Sequence, residues 1–183
     1  MFKSIKILLI VCCTSCLLSC SKNNLHKDIE RLMFTKLNIN LDSMTYLGNS
    51  KSIANLKTAQ FTYIVYIDST HCTECSLKNL NEWSSILNES NMKYKHKLSL
   101  IVIVESSNWK KENVKKYIKE DCPMRDFVYL DDKYNFREKN KDALKNPFLN
   151  EFMVDRHGKI CLIGNPSRNS KLKALMLNTF EKH

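Results

Sequence analysis

The sequence predicts an α/β protein, a central mixed β-sheet flanked by helices and preceded by an N-terminal extension. Three observations carry that expectation. Runs rich in β-branched and aromatic residues alternate with segments of helical apolar spacing between positions 61 and 144, the order that parallel crossovers need. Leu98 to Val104 is almost continuously apolar, as a strand buried on both faces is. Further on, two strand-like runs are joined by Asp155-Arg156-His157-Gly158, a tight turn that makes them antiparallel. With 183 residues, 43% hydrophobic and 26% charged, the chain has room for one ordinary domain with its own core plus a leader.

The leader comes first. Lys3 and Lys6 form a positive start, and Ile7 to Cys13 is an apolar stretch too short to span a bilayer. Leu17-Leu18-Ser19-Cys20 resembles the bacterial lipobox, which implies cleavage before Cys20 and acylation of that residue. Two or three acyl chains anchor a protein stably where one does not. Residues 1–19 are therefore expected to be a lipoprotein signal peptide, 20–57 a tether and N-terminal extension, and 58–183 the folded domain. The expected location is the cell envelope, with the domain facing the periplasm.

Within the extension, His26 to Leu37 has the spacing of an amphipathic helix. Asn38 to Leu56 is polar, carries the turn signal Gly48-Asn49-Ser50, and has room for an edge strand around Met44 to Leu47. Phe61 to Asp68 then reads as a strand. Ser76 to Met92 follows as a helix with Leu77, Leu80, Trp83, Ile86 and Leu87 on one face. Leu98 to Val104 is the central strand, and Asn108 to Glu120 a helix carrying Trp109, Val114, Tyr117 and Ile118. Phe127 to Leu130 is a short strand, and Asp131 to Leu144 a helical or turn-rich connection. Pro147 to Val154 and Lys159 to Gly164 form the hairpin, and Ser170 to Phe180 closes the chain as a helix with Leu172, Leu175, Met176 and Phe180 inward.

The candidate site lies between the first long strand and its helix. Cys72-Thr73-Glu74-Cys75 places a cysteine pair at a helix start, where unpaired N–H groups and the helix dipole favour a thiolate. Of the eight cysteines, Cys12, Cys13 and Cys16 leave with the leader and Cys20 is the lipidation site. That leaves Cys72, Cys75, Cys122 and Cys161 in an oxidising compartment. The Cys72/Cys75 pair is readable as a redox dithiol, as an inert structural disulfide, or as half of a metal site that would still need two ligands. Cys161 reads as a small buried residue, with a Cys122–Cys161 disulfide as a minor alternative. Beyond the leader no second Cys-x-x-Cys and no cofactor motif occurs, so no metal or cofactor is expected beyond a redox-active disulfide. The net charge of +10 comes from scattered lysines without an aromatic-plus-arginine cluster. It reads as solvated faces, with no nucleic acid as partner.

A β-α-β half with Cys-x-x-Cys at its first helix, followed by a β-β-α half, resembles the thioredoxin fold over about Thr58 to His183. The nearest likeness is to lipid- or membrane-anchored thioredoxin-like proteins of the TlpA/ResA type. The resemblance implies thiol–disulfide exchange on exported proteins, with Cys72 as nucleophile and Cys75 as resolving thiol. Protein thiols and disulfides would be the substrates, with an electron donor not yet identified. It also implies that Pro147 is cis and that Asn146 and Pro147 bind substrate beside the dithiol. The chain departs from that pattern at Tyr66, where a buried proton-accepting acid is usual; Asp68 or a distant group would have to substitute. His71 stands where tryptophan is usual, favouring a thiolate when protonated, and Glu74 disfavours one. These imply a reducing or intermediate potential. The alternatives are a non-catalytic binding module on the same scaffold, or a thiol peroxidase, for which Ser69-Thr70-His71-Cys72 lacks the expected proline.

Overall fold

The computed structural model describes residues 24–48, 58–70, 73–95, 97–106 and 111–182. The leader, Cys20, His71, Cys72, Trp109 and part of the Gly48-Asn49-Ser50 turn lie outside them. The chain divides into two units, Met1–Met33 and Phe34–His183. In the first, helix α1 occupies 24–32 and carries the ion pairs His26–Glu30 and Arg31–Asp28.

The second unit is built on a six-stranded mixed sheet in the order β1-β4-β3-β2-β5-β6. Its centre is β2 (Phe61–Ile67), parallel to β3 (Leu98–Glu105) from Phe61↔Leu98 to Ile67↔Val104. On the other side β2 is antiparallel to β5 (Glu151–Asp155), with Val65 opposite Glu151. The apolar run of β3 does what its composition requires: every one of its residues is buried. β4 (Val128–Asp131) adds in parallel, and β1 (Thr45–Tyr46) closes that edge, where an edge strand was expected. β6 (Ile160–Ile163) completes the hairpin with β5. In that turn Gly158 takes φ +79°, and Asp155 Oδ1 accepts the backbone N–H groups of His157 and Lys159.

α2 (Thr73–Lys78) runs through the 3₁₀ turn Asn79–Glu82 into α3 (Trp83–Lys93). Leu77, Leu80, Trp83, Ile86 and Leu87 are all buried, as their spacing predicts. They pack with Tyr63, Val65 and Ile67 of β2, and the Tyr63 and Trp83 rings lie 4.4 Å apart. Each such side chain contributes roughly 2 kcal/mol of apolar burial. Because strand side chains alternate, Tyr66 points to the opposite face and meets Phe136 of α5 (Asn135–Lys139) at 5.5 Å. α4 (Lys111–Glu120) buries Val114 and Ile118. α6 (Ser170–Lys182) follows the last strand, so the β-α-β and β-β-α halves expected from the resemblance are both present, joined through β2 and β5.

Three expectations need correction. The helix expected to reach Leu37 ends at 32, the chain turns through Phe34 at φ +67°, and 35–37 lies against the β6 hairpin. Ile160 N–H donates to Thr35 O, Phe34 N–H to Ile160 O and Leu37 N–H to Gly158 O. An open sheet edge outweighs weak helical spacing there. The strand expected from Pro147 begins only at Glu151, because Asn146 to Leu149 forms a turn. Leu175 is 53% exposed, lying off the Met176/Phe180 stripe that α6 buries.

Candidate functional site

The site is set by the place where β2 ends. Ile67 is the last strand residue, Asp68 to Thr70 turns the chain, and α2 begins at Thr73. The turn holds itself: Asp68 Oδ1 accepts from Thr70 N (2.8 Å) and Thr70 Oγ1 (2.6 Å). Asp68 is thereby committed to the loop. Cys75 sits in the first turn of α2, is exposed, and is disulfide-bonded. Cys122 and Cys161 are free thiols, so the sulfur partner of Cys75 falls outside the described residues and the Cys122–Cys161 alternative does not hold. Burial raises the Cys122 thiol above its usual value and pushes Cys161 up to about 12, leaving both as weak nucleophiles. Glu74, exposed like Cys75, lies beside it.

Under α2 is a cavity of about 230 Å³, lined among others by Val65, Ile67, Ser76, Trp83, Pro147 and Glu151. Glu151 opens β5 opposite Val65, which puts its side chain on the face that carries the motif helix. Its Oε1 accepts from Asn165 Nδ2 at 3.2 Å, while Oε2 is shut from solvent with no partner among the described residues. Burial raises this carboxyl above the usual range, Asn165 and Arg168 pull it back, and Glu82 pushes it up. The neighbouring Tyr63 hydroxyl donates to Gly164 O, and burial, Glu151 and Cys161 together raise its pKa.

A second buried acid lies on the other face. Glu105, 2% exposed at the end of β3, accepts the Tyr66 hydroxyl on Oε2 and Ser69 Oγ on Oε1 at 2.6 Å. Arg137 Nε approaches Oε2 at 2.7 Å and donates to Tyr66 Oη at 3.0 Å. Tyr66 is pushed up by burial first and then by its bond to Glu105. Ser69 ties this network to the loop that leads into the motif.

No family model matches the chain, and no curated protein matches its sequence. Among solved structures, a thioredoxin-like protein of Bacteroides caccae aligns at 16% identity and TM-score 0.45, over 67% of this chain and 42% of that one. The exposed lipoprotein thioredoxin of Streptococcus pneumoniae aligns at 15% and 0.44, over 68% and 86%. A domain of a possible thiol-disulfide isomerase of Cytophaga hutchinsonii aligns at 13% and 0.48, over 82% and 96%. Likenesses at these identities and scores assign no activity.

The geometry corrects one expected site residue. No peptide bond among the described residues is cis, so Asn146–Pro147 is trans. Asn146 opens a turn in which its O accepts Leu149 N–H (3.0 Å) and its Oδ1 accepts Phe148 N–H (3.1 Å). Proline after such an asparagine is at the second turn position, where its fixed φ suits a trans bond. Pro147 lines the cavity under α2. Three residues were not singled out by sequence reasoning: Glu105, Arg137 and Glu151. An acid ending an almost wholly apolar strand and an acid opening another were the available signals. Among the described residues no group of three or more His, Cys, Asp or Glu is placed to hold a metal ion, and no helix is long and apolar enough to cross a membrane.

Proposed function

We propose that this chain is a thiol–disulfide oxidoreductase whose reactive pair is Cys72 and Cys75, anchored in the cell envelope through lipidated Cys20. The observation that carries the reading is a disulfide-bonded, exposed Cys75 in the first turn of α2, the helix that follows β2. In the reduced state the Cys72 thiolate attacks a substrate disulfide, forming a mixed disulfide and expelling one substrate thiolate. Cys75 loses its proton and attacks the Cys72 sulfur, closing the Cys72–Cys75 disulfide and releasing the second thiolate. Two electrons pass to the substrate, and a dithiol donor must return them. Glu151 is the group we assign to take the Cys75 proton. Its carboxyl belongs to a residue that lines the same cavity as Ser76, the neighbour of Cys75, and burial favours its protonated form. Glu105, by contrast, is engaged by Arg137, Tyr66 and Ser69.

The test is insulin reduction by the wild type beside Cys72→Ser, with Cys75→Ser as a trap. Turnover by the wild type alone, and covalent substrate held by Cys75→Ser, supports the reading. Equal rates for wild type and Cys72→Ser would leave a binding module, and hydrogen peroxide consumption would point to the peroxidase.

A further inference from the structure

Arg137 is held in a way its ion pair alone does not require. Its contacts with Glu105 and Tyr66 run through Nε, which leaves the outer nitrogens of the guanidinium fork for another acceptor. The side chain is 38% exposed, and it opens into a cleft of about 450 Å³ that also includes Thr70, Lys141, Lys145, Pro147 and Asn150. Thr70 stands two residues before Cys72, so the cleft adjoins the reactive loop. Two acids share its walls. Glu138 is paired with Lys141 at 2.6 Å, and Asp68 is bound by Thr70. Lys145 has no carboxylate partner among the described residues. A half-buried arginine, oriented from behind by a buried carboxylate and fronted by a lysine, fits a planar anion.

We propose that this cleft binds a carboxylate side chain of the substrate polypeptide, one placed next to the substrate cysteine, and that Arg137 is the binding residue. Glu105 and Tyr66 are positioning residues that aim it. The inference rests on the dithiol reading for its role in selection, though not for the binding itself.

Two measurements test it. Short peptide disulfides that differ only in the residue beside cysteine, as glutamate, glutamine or lysine, are compared by kcat/KM. Charge-assisted recognition favours glutamate over lysine by about tenfold to a hundredfold. Arg137→Gln is expected to bring that ratio to within about twofold of unity. Lys145→Glu, which leaves the buried network intact, is expected to lower it severalfold. An unchanged ratio in both variants would overturn the proposal. The second measurement uses the glutamate peptide with serine in place of cysteine, titrated calorimetrically into the oxidised protein. Binding that is lost in Lys145→Glu and in high salt supports the site. Absent or salt-independent binding sinks it. A wild type that reduces none of the peptides would count against the dithiol reading alone, since the serine peptide still decides the carboxylate site.

Discussion

Glu151→Gln separates a proton-handling role from a structural one, because the two predict opposite signs. The substitution keeps an acceptor for Asn165 Nδ2 and replaces an unpartnered buried oxygen by an amide, at nearly constant volume. Burial holds the folded carboxyl above its ordinary value, so between the unfolded and folded values the native state binds more protons than the unfolded state. Stability of the wild type therefore falls as pH rises from about 4.5 and levels off above the folded value. Each tenfold change in the acid constant corresponds to about 1.4 kcal/mol. Glutamine carries no such penalty. Unfolding free energies from urea titration are expected to be similar for the two proteins at pH 4 and higher for Glu151→Gln at pH 9. Insulin reduction should move the other way, falling roughly a hundredfold at neutral pH as general-base help is lost. A variant less stable than wild type at pH 9, or one with undiminished turnover, would refute the assignment.

Other consequences follow from the packing. Glu105→Ala strands Arg137 and unties Ser69, and loss of one member of a buried pair should lower stability by about 3 kcal/mol in urea unfolding. Glu138→Ala, which breaks the exposed pair with Lys141, should stay within about 0.5 kcal/mol in the same assay. Gly164 takes φ +104°, and an added Cβ would lie 2.9 Å from Leu172 Cδ1; Gly164→Ala should cost about 1–2 kcal/mol by thermal unfolding. Trp83→Ala empties a site that is 1% exposed against Tyr63, with a loss of about 3–5 kcal/mol by the same measurement.

Local pattern was enough for the elements whose burial is decided by their own residues. The nearly continuous apolar run of β3 and the single buried stripe from Leu77 to Leu87 leave few alternatives, because exposing either would forfeit much of the core. The Asp155–Gly158 turn is likewise local, since aspartate caps it and glycine supplies the positive φ. The start of α2 at Thr73 was legible for the same reason: a strand, a polar turn and a helix in immediate succession determine where a helix start falls. What the sequence alone left undecided depends on partners distant in the chain. Whether 34–37 continues a helix or lines a sheet edge was settled by the unpaired hairpin at 158–160. Pro147 was drawn into a turn by Asn146, a competition that family resemblance does not weigh. Glu105, Arg137 and Glu151 come from three separate elements, and an acid in a strand has no meaning until its neighbours are known. Register placed Glu151 opposite Val65 on the motif side of the sheet. Strand alternation put Tyr66 and Glu105 on the other side, together with Arg137. The pair proposed to carry the chemistry is thus read from local sequence, while the groups proposed to move its proton and choose its substrate come together only in the folded sheet.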